Sequence, residues 1–424
     1  MNLPKGFKEY FLQHWKAEDV DALVQGMESE PAVSIRLNQK RMPVESEPEG
    51  ADGRVPWCPE GIYLRERPAF TADPLLHAGA YYVQEASSMY LAHVLRTLNS
   101  QLSLKRVLDL CAAPGGKSTL LRSLIPDECL LISNEPNRTR CQVLAENLAK
   151  WGHPNVLVTQ ALPKQLTEEV GDGAFQMILA DVPCSGEGMM RKEEEASRQW
   201  SPAFVAGCAA LQRSIVQDIW PALIPGGILI YSTCTFNPEE DEQNVEWIAR
   251  ELGADVLAIP IDPSWGIRGD MRTQPCTFTD EKEQSPLSCY HFLPGLVRGE
   301  GFFLAILRKH IAPESTVPDS SPSGKKRLKK KGHRPEPSLI TLPTNQLDAP
   351  DAPHVELSLA DSIRYLQREA LILPPNTPRG IVQVCYRGLR LGLMNNLGTR
   401  ANNLYPKEWR IRSSYVEGHS LFSE

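Results

Sequence analysis

Short apolar runs and longer amphipathic stretches alternate through the middle of the chain. VLDL (107–110) leads through a glycine-rich turn into the helical pattern STLLRSLI, and LLISNE (130–135) leads into TRCQVLAENLAKWG. NVLVT (155–159) and QMILAD (176–181) follow, then a helical stretch around LQRSIVQDIWPAL and the run GGILIYST (226–233). GFFLAILRK (301–309) predicts one more strand with no helix after it. Continuous apolar runs are strands covered on both faces, and strands alternating with helices predict an α/β fold: a mostly parallel, doubly wound sheet with right-handed crossovers.

Length and composition add a frame. A chain of 424 residues exceeds one compact core, so two or three domains are expected. No run of eighteen apolar residues occurs and the start, MNLPKGFKEYF, has no apolar signal core, so a cytoplasmic protein without membrane contact is expected. Ten cysteines with no CxxC pair and no His/Cys cluster at zinc spacing predict reduced thiols and no metal site. The formal charge of −7 argues mildly against a nucleic-acid partner, but two local patches reverse that reading. Lys325–Arg334, KKRLKKKGHR, carries seven Lys or Arg and no acid within a Pro/Ser-rich segment and reads either as a solvated tether or as an arm that grips phosphates. Between Arg379 and Tyr415, seven basic residues (Arg379, Arg387, Arg390, Arg400, Lys407, Arg410, Arg412) meet one acid, Glu408, and alternate with Tyr386, Tyr405, Trp409 and Tyr415. That composition suits stacking on bases and pairing with phosphates, although any single aromatic there is more readily core of a small β domain.

The first turn decides the ligand class. LDLCAAPGGKST misses the phosphate-binding pattern GxxxxGK[ST] because Cys111 stands where its first glycine is needed, and GxGxxG is absent as well. A tight small-residue turn at a helix N-terminus remains, with Asp109, Glu135 and Asp181 at successive strand ends. An acid ending the second strand can hold ribose hydroxyls, and carboxylates suit ammonium and sulfonium charges. S-adenosyl-L-methionine fits this site. The run ILADVPCSGEG (178–188) then sets Cys184 just past a strand end, and STCTF sets Cys234 in the same position after the next strand, both on the crevice side of the sheet.

LDLCAAPGGKST, NEPNRTR, ILADVPCSGEGMMRK and ILIYSTCTFNPEEDEQNV resemble, in order and spacing, the motifs of the Sun (Fmu-like) RNA cytosine-5 methyltransferases over roughly residues 80 to 310. SIRLN and HAGAYYVQEASSMY look like that family's RNA-side extension, and GLMNNLGTRANNLYPKEWR is similar to the PUA-like end of its bacterial ribosomal-RNA branch. The resemblance implies a Rossmann-like S-adenosylmethionine-dependent core at 76–310, an N-terminal RNA-binding extension at 1–75, a basic linker at 311–338 and a PUA-like region at 339–424. It implies a cofactor site of Cys111, Ala112, Ala113, Pro114, Gly115, Gly116, Lys117, Glu135, Arg140 and Asp181, with Gln160 standing where the family usually has an acid near the adenine.

Carbon-5 of cytosine takes a methyl group only after a nucleophile adds to carbon-6, and either cysteine could serve. The resemblance assigns that addition to Cys234 and product release to Cys184, with Asp181 holding the base; for Lys117 the choice is between tuning the nucleophile and orienting Asp181. Ribosomal RNA is the expected substrate through the tail resemblance, with transfer RNA as the alternative and a non-catalytic RNA-binding scaffold as a third reading; a monomer is expected. A zinc-dependent cytidine deaminase is excluded because H-x-E and PCxxC are missing. A small-molecule methyltransferase would share the turn but not need the flanking basic-aromatic segments. Deleting everything from Leu339 onward is expected to weaken RNA binding and leave cofactor binding intact.

Overall fold

The computed structural model describes residues 3–98, 102–273, 287–311, 340–412 and 418–422. The basic stretch Lys325–Arg334, nearly all of the expected linker, and Tyr415 lie outside the described residues. An N-terminal antiparallel sheet is built from β1 (Val33–Leu37), β2 (Ala51–Val55), β3 (Cys58–Leu64) and β4 (Tyr81–Val83), in the order β2-β3-β1-β4. The central sheet contains β5 (Arg106–Asp109), β6 (Leu130–Asn134), β7 (Val156–Gln160), β8 (Phe175–Asp181), β9 (Leu223–Thr233), β10 (Ala254–Leu257), β11 (Tyr290–Phe292), β12 (Phe302–Lys309) and β13 (Ile340–Leu342). Its order is β10-β12-β9-β8-β5-β6-β7-β13, with β11 paired to β12. A third sheet runs β14 (His354–Glu356), β15 (Gly380–Tyr386), β16 (Leu389–Asn396) and β17 (Ala401–Asn403).

The five strands β5 to β9 are parallel, as their apolar runs predict, and buried on both faces. β12, the strand with no helix after it, inserts antiparallel between β9 and β10. From β5 the chain winds outward to β6 and β7, then returns to β8 on the other side. A doubly wound sheet opens its ligand crevice at that reversal, beyond the carboxyl ends of the strands. Asp109, Glu135, Asp181 and Thr233 all stand there, at or one residue past the ends of β5, β6, β8 and β9.

The C-terminal portion is less separable than the sequence implies. β13 adds antiparallel to the edge strand β7, with Ile340 opposite Gln160. One apolar cluster joins Ile35, Leu37, Phe70, Leu75 and Tyr81 of the N-terminal portion to Val355, Tyr365, Val382, Val384 and Tyr405 of the C-terminal one. The Phe422 and Tyr81 rings lie 5.8 Å apart, and the Leu421 amide donates to the Asp73 carboxylate at 3.0 Å. Tyr386 and Tyr405 are buried, and Arg390 pairs with Asp348 at 2.5 Å while donating to the Ala149 carbonyl at 2.8 Å. Half of the expected base-stacking set is therefore core. Among the described residues, no helix is long and apolar enough to cross a membrane.

Candidate active site

The turn after β5 runs Cys111–Gly115 into the helix Gly116–Leu124. Gly115 adopts φ +116°, a conformation that favours glycine, and the Ala113–Pro114 bond is cis. Arg140, near the start of the helix Arg138–Trp151 that Asn137 caps, donates to the Ala113 carbonyl at 2.9 Å and stands 3.4 Å from the Glu135 carboxylate. It thus ties the turn to the end of β6. Asp109 is fully buried; Ser118 donates to one of its oxygens at 2.6 Å, and the other has no hydrogen-bond partner among the described residues. One oxygen of buried Glu135 likewise accepts no hydrogen bond, while the other accepts from the Asn137 amide at 2.9 Å. Two unsatisfied carboxylate oxygens beside a close-approach turn are what a cationic, hydroxyl-bearing ligand would complete. Gln160 sits at the end of β7, its amide 3.4 Å from the Pro136 carbonyl, beside Glu135.

Burial pushes the Asp109 carboxyl up to about 7, and the nearby Asp181 and Glu135 charges push the same way against the Ser118 hydrogen bond. A carboxyl raised by folding contributes stability that is complete below its unfolded pKa and is lost as pH rises through the folded value. Ligand-free protein is therefore expected to lose more stability between about pH 4 and about pH 7 than its Asp109→Asn variant, read from denaturant midpoints across that window. Equal losses would remove Asp109 from this role.

Beyond β8 and β9 the two cysteine loops face each other. The Cys184 and Cys234 sulfurs are 3.1 Å apart, and the Cys234 amide donates to the Cys184 sulfur at 3.3 Å. The hydrogen bond to Cys234, and then burial, hold the Cys184 thiol well above its usual range. The two thiols thus share one contact in which either sulfur can donate. Asp181 accepts from Lys117 Nζ at 2.8 Å and from Ser232 Oγ at 2.7 Å. Burial pulls the Lys117 ammonium down, but Asp181 and the neighbouring Cys234 sulfur outweigh it and leave the ammonium above its usual value. Burial also raises the Cys111 thiol, which suits packing better than reactivity. A cleft of about 330 Å³ is lined by Cys111, Arg140, Asp181, Cys184 and Cys234 together with Met189 and Phe204. Of the expected site residues, Cys111, Arg140, Asp181, Cys184 and Cys234 line this cleft, Lys117 bonds to Asp181 beside it, and Asp109, Glu135 and Gln160 are not among its lining.

Sequence reasoning missed the scaffold behind them. Glu187, Asn237 and Glu240 are fully buried. Burial lifts Glu240 to about 7 and Glu187 above the usual carboxylate range. NPEEDE is acidic in composition, yet Glu240, Asp241 and Glu242 are all inside. The one usable signal was a lone acid among small residues in SGEG. Packing there is close: a Cβ on Gly188 would come within 2.6 Å of the Gly301 carbonyl oxygen.

A family model described as 16S rRNA methyltransferase RsmB/F matches residues 95–308. The chain belongs to this family. Models for the N-terminal domain of 16S rRNA methyltransferase RsmF and for the methyltransferase RsmF PUA domain match residues 3–86 and 352–411. A relative from Serratia proteamaculans, named ribosomal RNA small subunit methyltransferase F, is 35% identical over 277 residues, 64% of this chain and 54% of its own length. One of the same name from Enterobacter sp. is 32% identical over 355 residues, 82% of this chain and 69% of that protein. The chain thus spans about half the length of the first of these relatives. Among solved structures, a methyltransferase homolog protein from Pyrococcus horikoshii aligns with TM-score 0.56 at 25% identity, covering 71% of this chain and 93% of its own. NSun6 from Pyrococcus horikoshii, solved with SFG, aligns with TM-score 0.57 at 20% identity over 72% of this chain and 98% of its own, a likeness of fold.

Proposed function

We propose that the chain methylates carbon-5 of a cytosine in ribosomal RNA, using S-adenosyl-L-methionine and a covalent cysteine-cytosine intermediate. The observation that carries this reading is the pair of sulfurs 3.1 Å apart beside the Lys117–Asp181 ion pair, at the mouth of the crevice that holds Asp109 and Glu135. Membership of the 16S rRNA methyltransferase family favours ribosomal over transfer RNA. The N-terminal sheet and the third sheet, matched by RsmF domain models, are the expected RNA-side elements.

Bound S-adenosylmethionine supplies an electrophilic methyl group. Glu135 would accept from the ribose hydroxyls, residues 111–117 would wall the ligand site, and Asp109 and Asp181 would offset its positive charges. Arg140 keeps Glu135 oriented, and Gln160 would offer an amide to the adenine edge. Cys234, as thiolate, adds to carbon-6 of a cytosine turned out of its stack, and carbon-5 becomes nucleophilic enough to take the methyl group. The Cys184 S–H bond stabilises that thiolate first. Lys117 adds positive charge near Cys234 and fixes Asp181, which holds the polar edge of the base. After transfer, Cys184 gives its proton to water and as thiolate takes the carbon-5 proton; the C–H electron pair restores the carbon-5–carbon-6 double bond, the carbon-6–sulfur bond breaks, and Cys234 leaves as thiolate. The reading includes action as a monomer in the cytoplasm without a metal ion.

The test is transfer of label from methyl-labelled S-adenosylmethionine to total RNA lacking this modification, followed by mapping. Label at carbon-5 of a small-subunit ribosomal cytosine is expected; label at another atom, or in no RNA, overturns the reading. For the cofactor site, Glu135→Ala should weaken S-adenosylmethionine binding by about 1 to 3 kcal/mol through lost charge-assisted hydrogen bonds while RNA affinity holds. Calorimetry showing unchanged cofactor affinity would take Glu135 out of the site.

A further inference from the structure

Each of the two cysteine loops carries a buried carboxylate that grips the other loop. Glu187 follows Cys184 by three residues and accepts from the loop after Cys234: from the Phe236 amide at 2.7 Å, the Asn237 amide at 3.1 Å and the Thr235 hydroxyl. Glu240 follows Cys234 by six residues and accepts in return from the Ser185 amide at 3.0 Å, next to Cys184. Asn237 Nδ2 donates to both acids, at 3.1 Å to Glu187 and 2.7 Å to Glu240. The Ser185 and Thr235 hydroxyls meet at 3.1 Å, and the Gly188 amide donates to the Cys234 carbonyl at 2.9 Å. Outer props complete the arrangement. Trp200 donates to Glu187 at 2.8 Å, and Gln212 donates to Glu240 at 2.6 Å and to the Pro183 carbonyl at 2.9 Å.

Burying two carboxylates side by side is costly unless nearly every lone pair is used, and here each carboxylate oxygen accepts at least one hydrogen bond. A pair of apolar side chains could close the same space without that cost. What apolar packing could not supply is direction: carboxylates fix backbone amides at defined distances, and those amides belong to residues one to three positions after each sulfur. None of these acids lines the cleft, so none reaches the reacting atoms.

We infer that Glu187 and Glu240 are reciprocal positioning residues that set the separation and orientation of the Cys184 and Cys234 sulfurs. The inference rests on the proposed roles of the two cysteines, but the sulfur separation can be read without any RNA. Diamide serves as the ruler: two thiols lose two hydrogens and two electrons to the diazene, a disulfide forms, and the diazene becomes a hydrazine. From 3.1 Å the two sulfurs need only a small approach to the bonding distance of about 2.05 Å.

The experiment compares wild-type protein with Glu187→Gln and Glu240→Gln, and with the milder Thr235→Val in case a carboxamide prevents folding. An amide keeps the shape of the acid but gives up one accepting oxygen. Cross-linked 184–234 peptide is quantified by mass spectrometry against time, with cofactor affinity as the check on folding. Cross-linking is expected to slow about tenfold or more, and kcat to fall about 10- to 100-fold with the KM for RNA and cofactor unchanged, the penalty of a misplacement near 1 Å. Cross-linking and kcat within about twofold of wild type in all variants would overturn the inference. So would a loss of kcat with the cross-linking rate preserved, or a loss of cofactor affinity in parallel with kcat, which marks general destabilisation. A wild-type enzyme that transfers no methyl group while its variants still cross-link slowly would instead sink the proposed reaction and leave the positioning role standing.

Discussion

Replacing Cys234 with alanine is expected to abolish methyl transfer, by ~10³-fold or more, and with it any covalent enzyme-RNA species. Without sulfur addition at carbon-6 the ring never becomes nucleophilic at carbon-5. Cys184→Ala should act later in the sequence: addition and methyl transfer proceed, elimination stalls, and enzyme remains joined to methylated RNA. The geometry sharpens this contrast. Cys184, held well above the usual thiol range by its bond to Cys234 and by burial, is poorly suited to attack and lies 3.1 Å from the sulfur that does. Loss of its S–H bond should therefore also slow adduct formation modestly. Denaturing electrophoresis of labelled RNA separates the variants: a retarded band for Cys184→Ala, none for Cys234→Ala. A retarded band with Cys234→Ala alone would exchange the two roles, and activity retained in both without adduct would end the covalent mechanism.

Deleting the chain from Leu339 onward is expected to unfold much more than an RNA-binding appendage. Ile35, Phe70, Leu75 and Tyr81 belong to the same apolar cluster as the C-terminal sheet and are all buried. Exposing four such side chains at ~1.5–3 kcal/mol each forfeits ~6–12 kcal/mol, comparable with the ~5–15 kcal/mol that stabilises a typical domain. β7 would also lose its edge partner β13 beside Gln160. The truncated protein should therefore show a strongly lowered unfolding midpoint and weakened cofactor binding, measured by chemical denaturation and calorimetry. A truncated chain with the midpoint and cofactor affinity of the full one would show that the shared cluster contributes little. RNA contacts of the C-terminal portion are better probed by single substitutions at exposed basic positions such as Arg400.

Most of the central sheet was legible in the chain because its strands are covered on both faces, and such strands announce themselves as unbroken apolar runs. The strand ends fall within a few residues of the runs that predict them: QMILAD against Phe175–Asp181, and GFFLAILRK against Phe302–Lys309. The crevice residues were legible for a related reason. Chemistry at a strand's carboxyl end sits at a fixed offset from the run, so Asp109, Glu135, Asp181, Cys184 and Cys234 could be placed on one edge before their distances were known. That the two sulfurs touch was not. The 3.1 Å contact is between residues fifty positions apart.

The N-terminal strands were missed because VSIRL, ADGRV and CPEGIYL are interrupted by Ser, Arg, Asp, Gly, Pro and Glu and make no unbroken apolar run. The same limit applies to the acids of NPEEDE, whose local pattern is that of a solvated loop. Their burial follows from a loop folding back onto another loop, and only there do enough N–H and O–H donors gather to hold carboxylates inside. For Tyr386 and Tyr405, composition left open a stacking surface or a core, and the shared cluster with the N-terminal sheet decided for core. The sequence alone therefore determined the fold class, the crevice and the residue types that line it, because periodicity and strand-end offsets are local properties. Tertiary structure decided the sulfur separation, the buried carboxylate clasp and the inseparability of the C-terminal portion, because each depends on contacts between segments far apart in the chain.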